Sequence, residues 1–123
     1  MVYTTMIFAG RKDGVTHDYF KSRYERHMLM IKEICGDAMP LRHTRWYPKH
    51  EGDKPALVVG NPEEMYYDVI VTMEFEDGAA YGRFVAALME EKANERVLAD
   101  EAGFWDRNRM NLVVVGDVEK TER

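Results

Sequence analysis

Residues 3–36 read YTTMIFAGRKDGVTHDYFKSRYERHMLMIKEICG, a pattern that predicts one strand followed by one long helix. Tyr3–Ala9 is apolar and rich in β-forming residues, and a glycine-containing turn follows it. Thr16 offers a side-chain cap to a helix over residues 19–34, which Gly36 ends. The residues that share the buried face of this helix are Phe20, Tyr24, His27, Met28 and Ile31.

The rest of the chain repeats this alternation of strands and helices. The predicted strands that follow are Leu41–Tyr47, Tyr66–Phe75 and, last, Leu112–Val118. A second helix is opened by Asp77-Gly78, and its buried stripe consists of Ala80, Phe84, Ala87 and Leu88. A third helix is capped by Asn94 and runs to about Ala102. Two βαβ halves in 123 residues predict one domain, residues 1–123, of the α+β class. The order is that of a ferredoxin-like βαββαβ fold with a four-stranded antiparallel sheet.

The second face of this sheet has no helices left to cover it. Both main helices lie on one face, so we expect a second copy of the chain to cover the other face, in a homodimer. Residues Pro48–Glu64 form a loop that is long for a compact domain. Its segment Ala56–Val59 is apolar, so we expect it to pack, either within the chain or across a partner subunit.

The composition excludes several classes of function. Lys and Arg number 17 against 22 Asp and Glu, and a net charge of −5 argues against a nucleic-acid partner. The sequence has no apolar run of 18 residues, so we expect no membrane span, and the first residues lack the features of a signal peptide. Cys35 lies in an apolar stretch and is predicted to be a buried thiol. These features favour a cytoplasmic protein.

Motifs that mark a cofactor or a metal are missing from the sequence. It has no glycine-rich phosphate loop, no cysteine-rich metal spacing and no serine nucleophile elbow. The four histidines, His17, His27, His43 and His50, have no metal-ligand spacing. We therefore expect neither a cofactor nor a metal.

Two polar residues stand where apolar ones are expected. His27 lies on the buried helix face, where it could be a general acid or base, or a core histidine bonded to a backbone carbonyl. Asp68 lies near the start of a central strand, where it could orient a histidine or accept a substrate proton. The alternative for Asp68 is an exposed carboxylate at the strand edge.

A second polar pair lies on the strand over Leu41–Tyr47. His43 and Arg45 project from one face and could hold an anionic or phenolic oxygen, or they could be a solvated face. Nine methionines are typical of core packing, and a methionine-rich lining also suits a pliable apolar pocket for a small molecule.

Several segments together resemble the EthD family of the dimeric α/β-barrel superfamily. They are Arg11-Lys12-Asp13-Gly14-Val15-Thr16 with Phe20, the helical run Tyr24-Glu25-Arg26-His27, Tyr67-Asp68, and Ala99-Asp100-Glu101 followed by Phe104-Trp105-Asp106. The resemblance implies a ferredoxin-like homodimer whose sheets form a barrel, with a pocket between sheet and helices. His27 occupies the position of the family's histidine, and Asp68 that of its strand aspartate.

The resemblance also implies a range of activities. Relatives include cofactor-free lyases, isomerases and polyketide cyclases or dehydratases, and accessory proteins of ether degradation. We expect a cofactor-independent lyase or isomerase of the cyclase or dehydratase type, acting on a small cyclic or phenolic metabolite. His27 would be the general acid/base and Asp68 the orienting group or second acid/base, with Tyr24, His43 and Arg45 contacting substrate. The alternatives are a non-catalytic binding or accessory protein of a degradation pathway and a monooxygenase of the same superfamily.

Overall fold

The structure is a computed structural model that describes residues 2–123. Its elements in chain order are β1 (Tyr3–Arg11), α1 (His17–Cys35), β2 (Arg42–Trp46), β3 (His50–Glu51), β4 (Lys54–Pro55), β5 (Val69–Phe75), α2 (Gly78–Met89), α3 (Glu91–Glu101) and β6 (Trp105–Val114). Four of the strands form an antiparallel sheet in the order β2-β5-β1-β6. The α+β, ferredoxin-like fold predicted from the sequence is confirmed.

Side-chain alternation along the central strands separates two faces of the sheet. On β5, Val69, Val71, Met73 and Phe75 are buried, and the residues between them are half-buried. Ile7 pairs with Val71 on the neighbouring β1 and shares this face. The apolar face packs against the helices and forms the core. The opposite face carries the intervening side chains.

The long helix α1 begins and ends as its sequence predicts. The Thr16 hydroxyl accepts a hydrogen bond from the Tyr19 amide at 3.0 Å, a cap worth about 1 kcal/mol. Gly36 has φ +50° and ends the helix in the left-handed region that glycine adopts at low cost. All five residues of the predicted inner face are buried. Cys35 is buried as well, and burial raises the pKa of its thiol.

Several boundaries differ from the prediction, and β5 begins at Val69 rather than at Tyr66. The Glu90 carboxylate, not Asn94, caps α3, because it accepts the Lys92 and Ala93 amides at 3.2 and 2.8 Å. The Asn94 amide instead donates to the Leu88 carbonyl oxygen at 3.4 Å.

The last strand, β6, starts at Trp105 rather than at Leu112 and ends at Val114 rather than at Val118. Its first half pairs with the end of β1, after a register shift between Ala9 and Gly10. That half reads WDRNRM, a polar composition that does not predict a strand.

The segment from Pro48 to Glu64 folds into two small pieces. β3 and β4 pair as a short hairpin, and residues Pro62–Glu64 form one turn of 3₁₀ helix. Between them, Ala56 and Leu57 are half-buried, whereas Val58 and Val59 are 100% and 89% exposed, so only the first half of this apolar segment packs within the chain. Packing across a partner subunit stays a prediction. Within residues 2–123, no helix has the length and apolarity needed to cross a membrane.

Candidate active site

A cavity of about 300 Å³ lies between the sheet and the three helices. Most of its wall is apolar, with Ile7, Met28, Ile31, Met73, Phe84 and Val97 among the lining residues. Several polar side chains of this wall lie where α1, α3 and the start of β6 meet. An apolar cavity with a few convergent polar groups is the usual form of a small-molecule site.

His27 is the first of these polar groups. Its ring is 1% exposed, and its Nδ1 lies 2.7 Å from Oδ2 of Asp100 on α3. A carboxylate can only accept, so Nδ1 carries a proton and Nε2 of the neutral ring keeps a lone pair. Nε2 lies 3.8 Å from Oε1 of Glu101.

Asp100 is held as an anion. Burial raises the pKa of this carboxyl, but the hydrogen bond from His27 and the charge of Arg23 outweigh burial, and the net pKa lies below its ordinary value. Arg23 Nη2 is 3.3 Å from Asp100 Oδ1. The carboxylate therefore orients His27 and stabilises the ring when it takes a second proton.

Glu101 and Arg107 form the second polar group of the wall. Glu101 is 5% exposed and accepts two hydrogen bonds from Arg107, from Nε at 2.7 Å and from Nη2 at 3.0 Å. This two-pronged pairing compensates the buried carboxylate, which would otherwise be costly. The pair places both charges at the cavity wall, and Nη1 of Arg107 is the guanidinium nitrogen that Glu101 does not use.

Two buried polar atoms of the cavity wall have no hydrogen-bond partner among residues 2–123. They are Thr5 Oγ1 and the indole Nε1 of Trp105. Buried donors without partners are rare in native proteins, and each calls for an explanation. The tyrosine in the same wall, Tyr24, is fully buried, and burial raises the pKa of its hydroxyl, which stays protonated at neutral pH.

Asp68 does not lie in this cavity. It is 2% exposed, so the alternative of an exposed strand-edge carboxylate is wrong. Its Oδ1 accepts from Arg11 Nη1 and lies 2.8 Å from His17 Nδ1, and its Oδ2 accepts from the Arg11 amide at 2.8 Å. Asp68 thus orients His17, ten residues and about 15 Å along α1 from His27. The histidine that Asp68 contacts is therefore His17, and the carboxylate beside His27 is that of Asp100.

His50 joins the cluster around Asp68 from the loop after β2. The His17 and His50 rings stack in parallel with their centroids 3.6 Å apart, and His50 Nε2 is 3.6 Å from Asp68 Oδ1. A cleft of about 310 Å³ opens beside them, lined by Arg11, His50, Asp53, Lys54, Asp68 and Arg109 among others. Within residues 2–123, one group of side chains could hold a metal ion, and it consists of His17, His50 and Asp68.

His43 and Arg45 lie outside both spaces. Arg45 makes a two-pronged pair with Glu25 of α1, from Nε at 2.6 Å and from Nη2 at 2.8 Å, and the Tyr47 hydroxyl donates to the same carboxylate. Burial, and then the charge of Arg45, lower the pKa of His43 to about 4. Neither residue lines the cavity beside His27 or the cleft beside Asp68, and their predicted contact with substrate stays a prediction.

Sequence reasoning missed the residues that reach His27 from other elements. Asp100, Glu101, Trp105 and Arg107 come from the end of α3 and the start of β6, more than 70 positions from His27. The available signal was a pair of adjacent carboxylates at the end of a predicted helix, followed by two aromatic residues.

Comparisons with known proteins agree on the family and the fold. The family model of the EthD domain matches residues 12–108. Among curated proteins, none matches the chain. Solved structures with the same fold include an EthD-like protein from Ralstonia eutropha JMP134, at 18% identity and a TM-score of 0.62, covering 99% of this chain and 97% of that one.

Two further structures are similar at lower identity. SnoaB of Streptomyces nogalater, named a cofactor-independent oxygenase, has 9% identity and a TM-score of 0.54, covering 99% of this chain and 96% of that one. A dimeric ferredoxin-like protein of unknown function from Thermobifida fusca YX has 14% identity and a TM-score of 0.55, covering 94% and 90%. At these identities the similarity concerns the fold.

Proposed function

This chain belongs to the EthD family, and from that premise we propose that it is a cofactor-independent lyase or isomerase acting on a small cyclic or phenolic metabolite. The substrate occupies the cavity between sheet and helices. His27 removes a proton from one atom of the substrate and returns a proton to another, as in a cyclase or dehydratase. Asp100 acts through His27 as a positioning residue.

One observation carries this proposal: His27 is buried in the wall of an apolar cavity and bonded through Nδ1 to an ionised carboxylate. The other nitrogen of the ring is then free to exchange a proton with a ligand. A core histidine serving only the fold would need no cavity beside it. A positioned acid/base contributes roughly 10²–10⁴-fold to a rate.

The chemistry of the cavity supports the substrate class. Its volume, about 300 Å³, is at the small end of ligand pockets and suits one or two rings rather than a polymer. Trp105 Nε1 is a donor only, so it requires an acceptor such as a carbonyl or phenolate oxygen on the ligand. The guanidinium of Arg107 would stabilise an oxyanion that forms when His27 takes a proton.

A second candidate is a cofactor-independent oxygenase, because SnoaB has the same fold and is named one. Such a reaction shares its first step with the lyase or isomerase, which is proton removal by His27. The resulting carbanion would then reduce O₂ itself. Oxygen consumption that depends on substrate and on His27 favours this candidate over the first.

We also propose that the protein is a cytoplasmic homodimer joined through the open face of the sheet. That face carries exposed apolar side chains, among them Trp46 and Val113, at 51% and 46%. Exposed apolar surface of this kind is typical of an interface. A structural neighbour, the Thermobifida protein, is described as dimeric, which supports the same arrangement.

The proposed function can be tested by measuring proton exchange between substrate and solvent, because this step requires no prior choice of product. Wild-type protein is incubated in D₂O with a panel of cyclic ketones, phenols and lactones, and deuterium incorporation is followed by NMR and mass spectrometry. His27→Gln should lower the exchange rate by roughly 10²–10⁴-fold. His43→Gln, a histidine outside the cavity, is the matched control and should keep the wild-type rate.

Melting temperature and ligand binding on the same variants complete the test. A His27→Gln protein that melts like wild type and binds the same compounds, but exchanges slowly, supports acid/base catalysis. Binding without exchange in the wild type would instead identify a non-catalytic binding protein. Unchanged exchange in a destabilised His27→Gln protein would overturn the proposal.

A further inference from the structure

We propose that His17, His50 and Asp68 form a binding site for one divalent transition-metal ion, for which Zn²⁺ is the best-suited probe. Each residue offers one ligand atom, and the three atoms lie within 4.8 Å of one another. They come from the start of α1, from β3 and from the residue before β5. The site shares no lining residue with the cavity beside His27.

The separations between the ligand atoms suit one ion. His17 Nδ1 and His50 Nε2 lie 2.8 and 3.6 Å from Asp68 Oδ1. The His17 nitrogen donates its proton to this oxygen in the metal-free protein and releases that proton to solvent when the ion binds. Ligands of a tetrahedral Zn²⁺ with bonds of about 2.0–2.1 Å are roughly 3.3 Å apart. The two measured distances lie on either side of that value, within about half an ångström of it. The two rings stack with an interplanar angle of 10°, so binding of the ion must also turn the ring planes until both lone pairs point at it.

The proton on His50 points to a cation between its ring and Asp68. His50 Nδ1 lies 2.7 Å from the Pro48 carbonyl oxygen, which can only accept, so Nδ1 carries the proton. Nε2, which then carries only a lone pair, lies 3.6 Å from a carboxylate oxygen, and a cation would bridge these two acceptors. A ligating histidine commonly donates its other ring proton to a backbone carbonyl, and His50 is bonded in that way.

Two nearby features define the shell around the ion. Arg11 donates hydrogen bonds to both oxygens of Asp68, which fixes the orientation of the carboxylate. The same guanidinium places a positive charge close to the proposed ion, and this charge weakens metal binding. Two imidazole nitrogens and one carboxylate oxygen form a donor set for zinc or iron(II) that leaves a position open to solvent or a ligand. That position faces the cleft lined by His50, Asp53 and Asp68.

This site departs from the expectation, based on spacing, that the chain holds no metal. His17 and Asp68 are 51 positions apart, so no local motif connects them. The long loop after β2 supplies His50, which gives this loop a role in building the site.

The experiment titrates Zn²⁺ into protein treated with a chelator, by calorimetry and by competition with a chromophoric chelator. The wild type should bind one Zn²⁺ per chain. His50→Gln should weaken binding by more than about 100-fold, because loss of a ligand costs more than loss of its support. His43→Gln keeps all three ligands and should bind as the wild type does.

Imidazole NMR of the wild type provides a readout that no folding defect can disturb. On zinc addition, the ring nitrogens of His17 and His50 should shift, and those of His27 and His43 should not. The proposal is overturned if the wild type takes up no zinc. It is equally overturned if His50→Gln binds zinc as tightly as the wild type, or if the shifting signals belong to His27 or His43.

Discussion

His27 on α1 is held by Asp100 on α3, with its Nδ1 2.7 Å from the carboxylate Oδ2. The histidine side chain is 1% exposed, whereas the aspartate side chain is 23% exposed. The buried partner is therefore the group proposed to exchange protons, and the partly solvated partner is the group that orients it. This division matches the roles that an acid/base and its positioning residue need.

Asp100→Asn is expected to lower the rate without unfolding the protein. The amide oxygen can still accept the Nδ1 proton, so the ring keeps its orientation, but the negative charge that stabilises the protonated ring is lost. Turnover or proton exchange should fall by on the order of 10²-fold, with a shifted pH profile. An unchanged rate and pH profile would show that Asp100 serves only the fold.

The same substitution predicts a pH-dependent change in stability. The pKa of Asp100 in the folded protein lies below its ordinary 3.8, so the folded state favours the anion. The ionised Asp100 carboxylate therefore stabilises the folded state above pH 3.8, and this contribution is lost as pH falls through the pKa that the carboxyl has in the folded protein. The melting temperatures of wild type and Asp100→Asn should differ at neutral pH, and the difference should shrink as pH falls below 3.8.

Gly10 is expected to tolerate no side chain. A Cβ at this position would lie 2.5 Å from the backbone oxygen of Tyr66 and 3.2 Å from Arg109 Cβ, in a buried part of β1. Gly10→Ala should therefore destabilise the protein by about 1–3 kcal/mol, measured by urea denaturation.

Gly82 is the matched control for that substitution. It is exposed within α2, and a Cβ there would meet no atom within 4 Å. Gly82→Ala should stabilise by about 0.5–1 kcal/mol, because alanine loses less conformational freedom in a helix. Equal changes in the free energy of unfolding for Gly10→Ala and Gly82→Ala would contradict the close approach of Gly10 to the backbone of Tyr66.

The proposed dimer predicts a difference between two surface substitutions. Val113 lies on the open sheet face opposite Met6, and Leu29 is 69% exposed on α1. Light scattering on the wild type should give the mass of two chains. Val113→Arg should give the mass of one chain, because a buried unpaired charge is costly at an interface. Leu29→Arg should leave the dimer intact, and a monomeric wild type would refute the arrangement.

The fold could be predicted from the sequence because its signals are local. Periodicity placed Phe20, Tyr24 and His27 on one buried face of α1, and alternation identified the inner face of β5. The start of β6 was missed because it is held by pairing with β1 and not by an apolar pattern of its own.

The candidate site was predictable only in part. Burial of His27 follows from its place on α1, but its partner Asp100 is 73 positions away and no local pattern joins them. Asp68 was a candidate because a carboxylate near the start of a central strand is unusual. In the structure it bonds to His17 and Arg11 rather than to His27. Such pairings depend on how elements meet in space.

The last prediction concerns the titration of His43. Burial, and then the charge of Arg45, lower its pKa to about 4 from an ordinary 6.5, although Glu25 acts in the opposite direction. Its Nε2 has no hydrogen-bond partner within the described residues, 2–123. An NMR titration of the ring should therefore show a midpoint near 4, well below that of an exposed histidine.

This shift also sets the direction of a stability change with pH. The unfolded chain takes a proton on His43 near pH 6.5, but the folded chain does so only near pH 4, so the unfolded state binds more protons in between. The contribution of His43 to stability is present above pH 6.5 and is lost as pH falls toward 4. His43→Gln cannot titrate, and should gain stability relative to wild type as pH falls through that window. A ring midpoint near 6.5, with parallel stability curves for the two proteins, would mean that His43 is solvated and that the Arg45–Glu25 pair does not enclose it.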